Sequence, residues 1–184
     1  VLVDRKGVLN KKRVDLNNYN QDLAVETKCN TLEESMNNAD VFIGVSGANL
    51  LSKNLISKMN QNPIIFALAN PNPEILPDEA HSVRDDIVMA TGRSDFPNQV
   101  NNVLGFPFLF RGALDAKAKE ITNKMLVAAA NALANLAKEE VPQSVLDAYE
   151  VKSMSFGKEY FIPKPFDPRL IDWVAKAVKD AAIS

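Results

Sequence analysis

The run Ile64-Ile65-Phe66-Ala67-Leu68, closed by Asn70-Pro71-Asn72-Pro73, sets the fold class of this chain. Its apolar residues follow one another without alternation, which is how a strand buried on both faces of a parallel sheet reads. The prolines and asparagines that follow are turn residues and stop it. Three more runs have the same character: Val1-Leu2-Val3, Val41-Phe42-Ile43-Gly44-Val45 and Ile87-Val88-Met89-Ala90. Helical segments separate them. Thr31-Leu32-Glu33-Glu34 opens one that reaches Asn38, with the spacing of a capping box. Ser52 stands where it can cap a second, Lys53 to Asn60. Strand and helix alternating in this way predict an α/β fold, a partial doubly wound, Rossmann-like and mostly parallel sheet.

After about residue 106 the pattern turns helical. Ala113 to Lys119 and Thr122 to Glu139 are rich in alanine, and Leu126, Ala130, Leu133 and Ala137 make an apolar stripe. A link rich in proline and aromatics, Phe156 to Pro168, leads to a last helix. Its expected cap is Asp167, with Pro168 in the first turn, and it runs through Val178.

Composition narrows the class. Of 184 residues, 46% are hydrophobic and 24% charged, and the net charge is -2, which excludes a disordered chain. The densest basic cluster, Lys11-Lys12-Arg13, reads as a solvated turn, so no nucleic-acid partner is expected. A single cysteine, Cys29, excludes an internal disulfide and suits a reduced, cytoplasmic setting. No apolar run approaches the roughly 20 residues that cross a bilayer, and no membrane partner is expected. The chain opens on Val1-Leu2-Val3-Asp4, as if a strand were already under way. It reads as a segment whose upstream part is missing.

Ligands of open α/β sheets bind beyond the carboxyl ends of the strands. Asp4 ends the first run and can accept ribose hydroxyls, with Arg5 and Lys6 as candidate cations for a 2′-phosphate; a plain Asp4-to-Gly7 turn uses the same residues. Gly44-Val45-Ser46-Gly47 ends the second, either admitting a ligand close to the backbone or only turning the chain. There is no G-x-G-x-x-G. Asn70 follows the third run, where its carboxamide can serve a carbonyl or anionic ligand or close an Asx turn. Thr91 to Asn102 forms a long polar loop with many carboxamides, a feature of functional loops. His81, the only histidine, reads as a surface residue. Asp85 and Asp86 read as exposed caps, and no Cys/His cluster offers a zinc site.

Two stretches carry a family resemblance. Phe66-Ala67-Leu68-Ala69-Asn70-Pro71 with Pro73-Glu74-Ile75, and the run from Ala90 through Gly92-Arg93-Ser94-Asp95, Asn98-Gln99-Val100-Asn101-Asn102 and Arg111-Gly112-Ala113-Leu114-Asp115, resemble bacterial malic enzymes, particularly the large NADP-linked type. Val3 to Val8, Ala39 to Ser46 and Tyr160 to Leu170 resemble the same family. The resemblance implies oxidation of malate with NADP or NAD and decarboxylation to pyruvate and carbon dioxide, assisted by Mg or Mn. It places Asn70, Asn101 and Asn102 at the substrate, and Asp4, Arg5, Gly44, Val45, Ser46 and Asn70 at the dinucleotide. It also puts the family's catalytic lysine and tyrosine, its metal ligands and its glycine fingerprint upstream of Val1, so no catalytic or metal residue is expected here. Asn72 stands where an aspartate is common. On this reading residues 1–118 are the later part of a dinucleotide-binding domain and 119–184 a helical extension packed on it. The intact enzyme is expected to be a homo-oligomer, a dimer, while this chain alone is inactive. The alternative is a non-catalytic remnant or interaction module that keeps the fold.

Overall fold

The computed structural model describes residues 1–183. The first apolar run does not join the parallel sheet. Val3–Asp4 (β1) pairs antiparallel with Gly7–Val8 (β2), Asp4 opposite Gly7, so Arg5 and Lys6 form the turn. The reason is Gly7, whose φ of 109° reverses the chain at once. A side chain there would also collide with the Asn30 carbonyl, which accepts the Val8 N–H at 2.9 Å. Val1, Leu2 and Val3 stay exposed.

Two short helices follow, Asn18–Leu23 (α1) and Leu32–Met36 (α2). The capping box of α2 forms as expected: Thr31 Oγ1 accepts the Glu34 N–H at 3.1 Å, and Glu34 Oε2 accepts the Thr31 N–H at 3.2 Å. The other three runs make one parallel sheet in the order β3 (Val41–Gly44), β4 (Ile64–Ala67), β5 (Val88–Thr91). Lys53–Ser57 (α3) and Pro77–His81 (α4) are the crossover helices. Ser52 sits at the N-cap of α3, but its hydroxyl makes no capping bond. This helix ends early because tertiary bonds take over: Asn38 N–H donates to the Lys58 carbonyl at 2.9 Å, and Asn60 N–H to that of Ala39 at 3.0 Å.

Burial on both faces holds for only part of the sheet. Ile65, Ala67 and Met89 point into a core with Leu55, Ile56 and Ala80 from the helices. On the opposite face Ala90 is buried and Phe66 stacks on Phe161 of the C-terminal link, ring centres 5.9 Å apart. The edge strand β3 has no such cover, and Val41 and Ile43 are 48% and 62% exposed. Its sequence reads as fully buried because composition cannot tell which face the remaining chain covers.

A 3₁₀ turn, Asn102–Leu104, leads into Phe106–Asp115 (α5), which starts and stops earlier than the Ala113–Lys119 helix expected there. Asn123–Leu136 (α6), Gln143–Ala148 (α7), a π-helical turn at Ile171–Ala175 and Lys176–Ile183 (α8) complete the described residues. The last helix thus starts after Asp167 and Pro168 and continues past Val178. Asp167 instead accepts the Arg169 N–H at 3.0 Å and pairs with its guanidinium. Along α6 the buried residues are Met125, Ala129, Ala132 and Leu136, one step away from Leu126, Ala130 and Leu133 of the expected stripe, while Ala137, at the helix end, is buried as expected. An alanine-rich helix is apolar on more than one face, so periodicity alone permits either choice. Gly112 of α5 admits the backbone of the π turn: a Cβ there would collide with the Ala175 carbonyl and lie 2.7 Å from Val178 Cβ.

Candidate functional site

The three parallel strands end on one edge, and their loops carry most of the residues singled out from the sequence. Gly44 closes β3 and is buried. The group that needs it to be glycine is Glu74: a Cβ on Gly44 would lie 2.5 Å from Glu74 Oε1. Glu74 is 1% exposed. Its Oε1 accepts the Ser46 N–H at 3.0 Å and its Oε2 the Ala69 N–H at 3.1 Å. The Ser46 N–H is therefore used within the protein, while the Ser46 side chain and Val45 face solvent. Asn70, next to Ala69, is exposed and joined to Pro71 by a cis peptide bond. Sequence reasoning missed Glu74. The signal available was an acid inside an otherwise apolar Glu74-Ile75-Leu76 run, since a buried carboxylate must find donors.

The loop after β5 divides its carboxamides between tasks. Asn98 is 2% exposed at φ 55°. Its Nδ2 donates to the carbonyls of Met89 at 3.0 Å and Lys158 at 2.7 Å, and its Oδ1 accepts the Phe161 N–H at 2.9 Å. It is a clamp between β5 and the C-terminal link. Asn101 Oδ1 accepts the Val103 N–H at 3.0 Å, capping the 3₁₀ turn. Asn102 is exposed. Both Asn101 and Asn102 line a groove of about 1090 Å³ walled by Phe66, Phe106, Leu133 and Phe161. Asn70, Gly44, Val45, Ser46 and Asp4 do not line it.

Asp4 lies on the hairpin, outside the parallel sheet. Its two carboxylate oxygens take Arg13 Nη1 and Nη2, each at 2.9 Å, and Oδ1 also accepts the Lys6 N–H at 2.8 Å. Asp15 binds the same guanidinium at 3.0 Å and Lys6 Nζ at 2.7 Å. Arg13 hydrogen bonding holds both carboxyls below the usual aspartate value, and those bonds raise Arg13 in turn. The basic triplet is thus not simply a solvated turn, because Arg13 is the hub of this cluster with a side chain only 17% exposed. The cation at Asp4 is Arg13; Arg5 is exposed in the turn.

His81 ends α4 exposed. Asp86 pairs with Arg84 at 2.6 Å, which pulls its carboxyl below the usual range. Among the described residues no group of three or more His, Cys, Asp or Glu side chains could hold a metal ion. The described residues do not by themselves fit a divalent ion. They do offer neutral donors and acceptors, Ser46 hydroxyl and Asn70 carboxamide, of the kind that ribose hydroxyls and a nicotinamide amide require. No helix among the described residues is long and apolar enough to cross a membrane.

A parallel sheet with crossover helices and ligand-type loops at its carboxyl edge defines a Rossmann-like, dinucleotide-binding α/β domain. Residues 1–155 match the family described as "Malic enzyme, NAD binding domain", and the chain belongs to that family. Two relatives are the NADP-dependent malic enzyme of Halomonas elongata, 54% identical over 183 residues, and the probable NADP-dependent malic enzyme of Rickettsia prowazekii, 55% identical over 184. Each match covers 100% of this chain, which spans 43% and 24% of those relatives' lengths. The crystal structure of an NAD-dependent malic enzyme from Thermotoga maritima aligns with a TM-score of 0.80 at 39% identity, over 96% of this chain and 44% of that one.

Proposed function

We propose that this chain is the NAD(P)-binding portion of an enzyme that oxidises malate with NADP or NAD and decarboxylates the product to pyruvate and carbon dioxide. The observation that carries the reading is the shared edge of β3 and β4, where Ser46 and Asn70 sit on loops tied to one carboxylate. These are neutral side chains, able to hydrogen-bond a dinucleotide or a dicarboxylate without exchanging protons with it. In this reading the loop Gly44-Val45-Ser46 faces the dinucleotide, Asn70 touches both ligands, and Asn102, with Asn101 beside it, meets the substrate. Asp4 and Arg5 face the adenosine ribose, where Asp4 must share its carboxylate with Arg13.

This chain contributes hydrogen bonds and shape. The proton-transfer groups and the divalent ion belong to the rest of the enzyme, which functions as a dimer. The direct test is to assay the full-length protein and the isolated chain with malate, manganese and either dinucleotide. Turnover is expected from the full-length protein alone. A full-length protein that reduces neither NADP nor NAD in the presence of malate would overturn the assignment.

A further inference from the structure

We propose that Glu74 is a positioning residue that couples the dinucleotide loop to the substrate loop, so that each ligand strengthens binding of the other; this rests on the reading of those loops given above. The carboxylate divides its oxygens between them. Oε1 holds the Ser46 N–H of the first loop, and Oε2 holds the Ala69 N–H, one residue before Asn70 of the second. Glu74 is itself fixed at its backbone, because its carbonyl accepts the Leu51 N–H at 3.0 Å and that of Pro73 accepts the Asn49 N–H at 3.2 Å. Pro71 and Pro73 stiffen the three residues between Asn70 and Glu74. Gly44 gives the carboxylate its space, and an added Cβ would displace it.

Burying a carboxylate is strongly unfavourable unless hydrogen bonds replace its water, and here backbone N–H groups do so. The two donors that satisfy it come from two different loops. With one rigid group bonded to each loop, a ligand that orders the first also orders the second. Linkage then makes the effect reciprocal.

The test uses the full-length protein with NADPH and malate, a pair that cannot react because both are reduced. NADPH fluorescence gives its dissociation constant with and without saturating malate, and the ratio of the two is the coupling. In the wild type the ratio is expected to be about fivefold or more. Glu74→Gln replaces one acceptor by an NH₂ group facing an N–H, and Glu74→Asp is too short to span both loops. Each variant is expected to bring the ratio close to one while remaining folded by circular dichroism. An unchanged ratio in either folded variant overturns the proposal and leaves the proposed activity intact. So does a wild-type ratio of one in an enzyme that oxidises malate. A wild type that neither binds NADPH nor oxidises malate removes the functional reading, and the proposal with it. Amide exchange on the wild type decides the case in which both variants fail to fold. NADPH alone must then slow exchange of the Ala69 N–H in the other loop, and unchanged exchange overturns the proposal.

Discussion

Arg13 grips Asp4 with two parallel hydrogen bonds, Nη1 to Oδ1 and Nη2 to Oδ2, each 2.9 Å long. This fork geometry fixes the guanidinium beside the acid proposed above to face the ribose. A bare carboxylate there would repel a 2′-phosphate, and the paired one repels it less. In the full-length protein, Arg13→Ala is expected to lower catalytic efficiency with NADP, relative to NAD, by about tenfold, or about 1.4 kcal/mol. Arg5→Ala is expected to change that ratio less. Steady-state kinetics with both dinucleotides measure it, and a larger effect at Arg5 would put the selecting cation in the turn.

The same cluster gives the hairpin a pH dependence of known sign. Asp4 and Asp15 are depressed below their ordinary 3.8, chiefly by hydrogen bonds from Arg13. Carboxyls lowered in the folded state contribute stability that is complete above the unfolded value and is lost as pH falls through the folded one. The β1–β2 pairing should therefore persist unchanged down to about pH 4 and weaken only below it. Cross-strand contacts between Val3 and Val8, followed by NMR during an acid titration, report this. Loss of pairing near neutral pH would show that the ion cluster does not hold the hairpin.

Asn101 and Asn102 are adjacent but differently placed. Asn101 caps the 3₁₀ turn, so Asn101→Ala should cost about 1 kcal/mol of stability. Asn102 is exposed at the rim of the groove, and Asn102→Ala should leave the melting temperature nearly unchanged. In the full-length protein it should raise the malate KM or lower kcat by about tenfold. Thermal melts and kinetics on the same preparations separate the two. An Asn102 variant with lowered melting temperature and normal kinetics would make it a turn residue.

Asn98 is a structural clamp despite its place in the polar loop. Its side chain satisfies two carbonyls and one N–H that join β5 to the C-terminal link. Asn98→Ala removes these three hydrogen bonds, the one to Met89 buried, and puts alanine at positive φ, a loss on the order of 3 kcal/mol. Urea denaturation measures it. A change below about 0.5 kcal/mol would mean that other contacts, the Phe66–Phe161 stack among them, hold the link.

Gly112→Ala should be destabilising by about 1–3 kcal/mol, because the new methyl meets the Ala175 carbonyl and Val178 where α5 crosses the last helix. A variant as stable as the wild type would show that the π turn at Ile171–Ala175 can yield.

The strands of the sheet were legible in the sequence, because Val41–Gly44, Ile64–Ala67 and Val88–Thr91 are apolar runs closed by turn residues, and that local chemistry survives in any context. So was the capping box at Thr31, which needs only residues three apart. The family was legible too, since the loops after β4 and β5 are specific at the level of residue order. What partners each polar group meets was not. The sequence could not place Arg13 on Asp4, Glu74 beneath Gly44 or Asn98 between β5 and the link, because those contacts join residues 9, 30 and 60 positions apart. Nor could it choose which face of α6 is buried, since both are apolar, or see that the Val1–Val3 run turns back at Gly7 into a hairpin apart from the parallel sheet. Periodicity and turn chemistry are local and the sequence holds them by itself. Burial, ion pairing and the sharing of one carboxylate between two loops depend on which segments meet in space, and only the tertiary structure decided those.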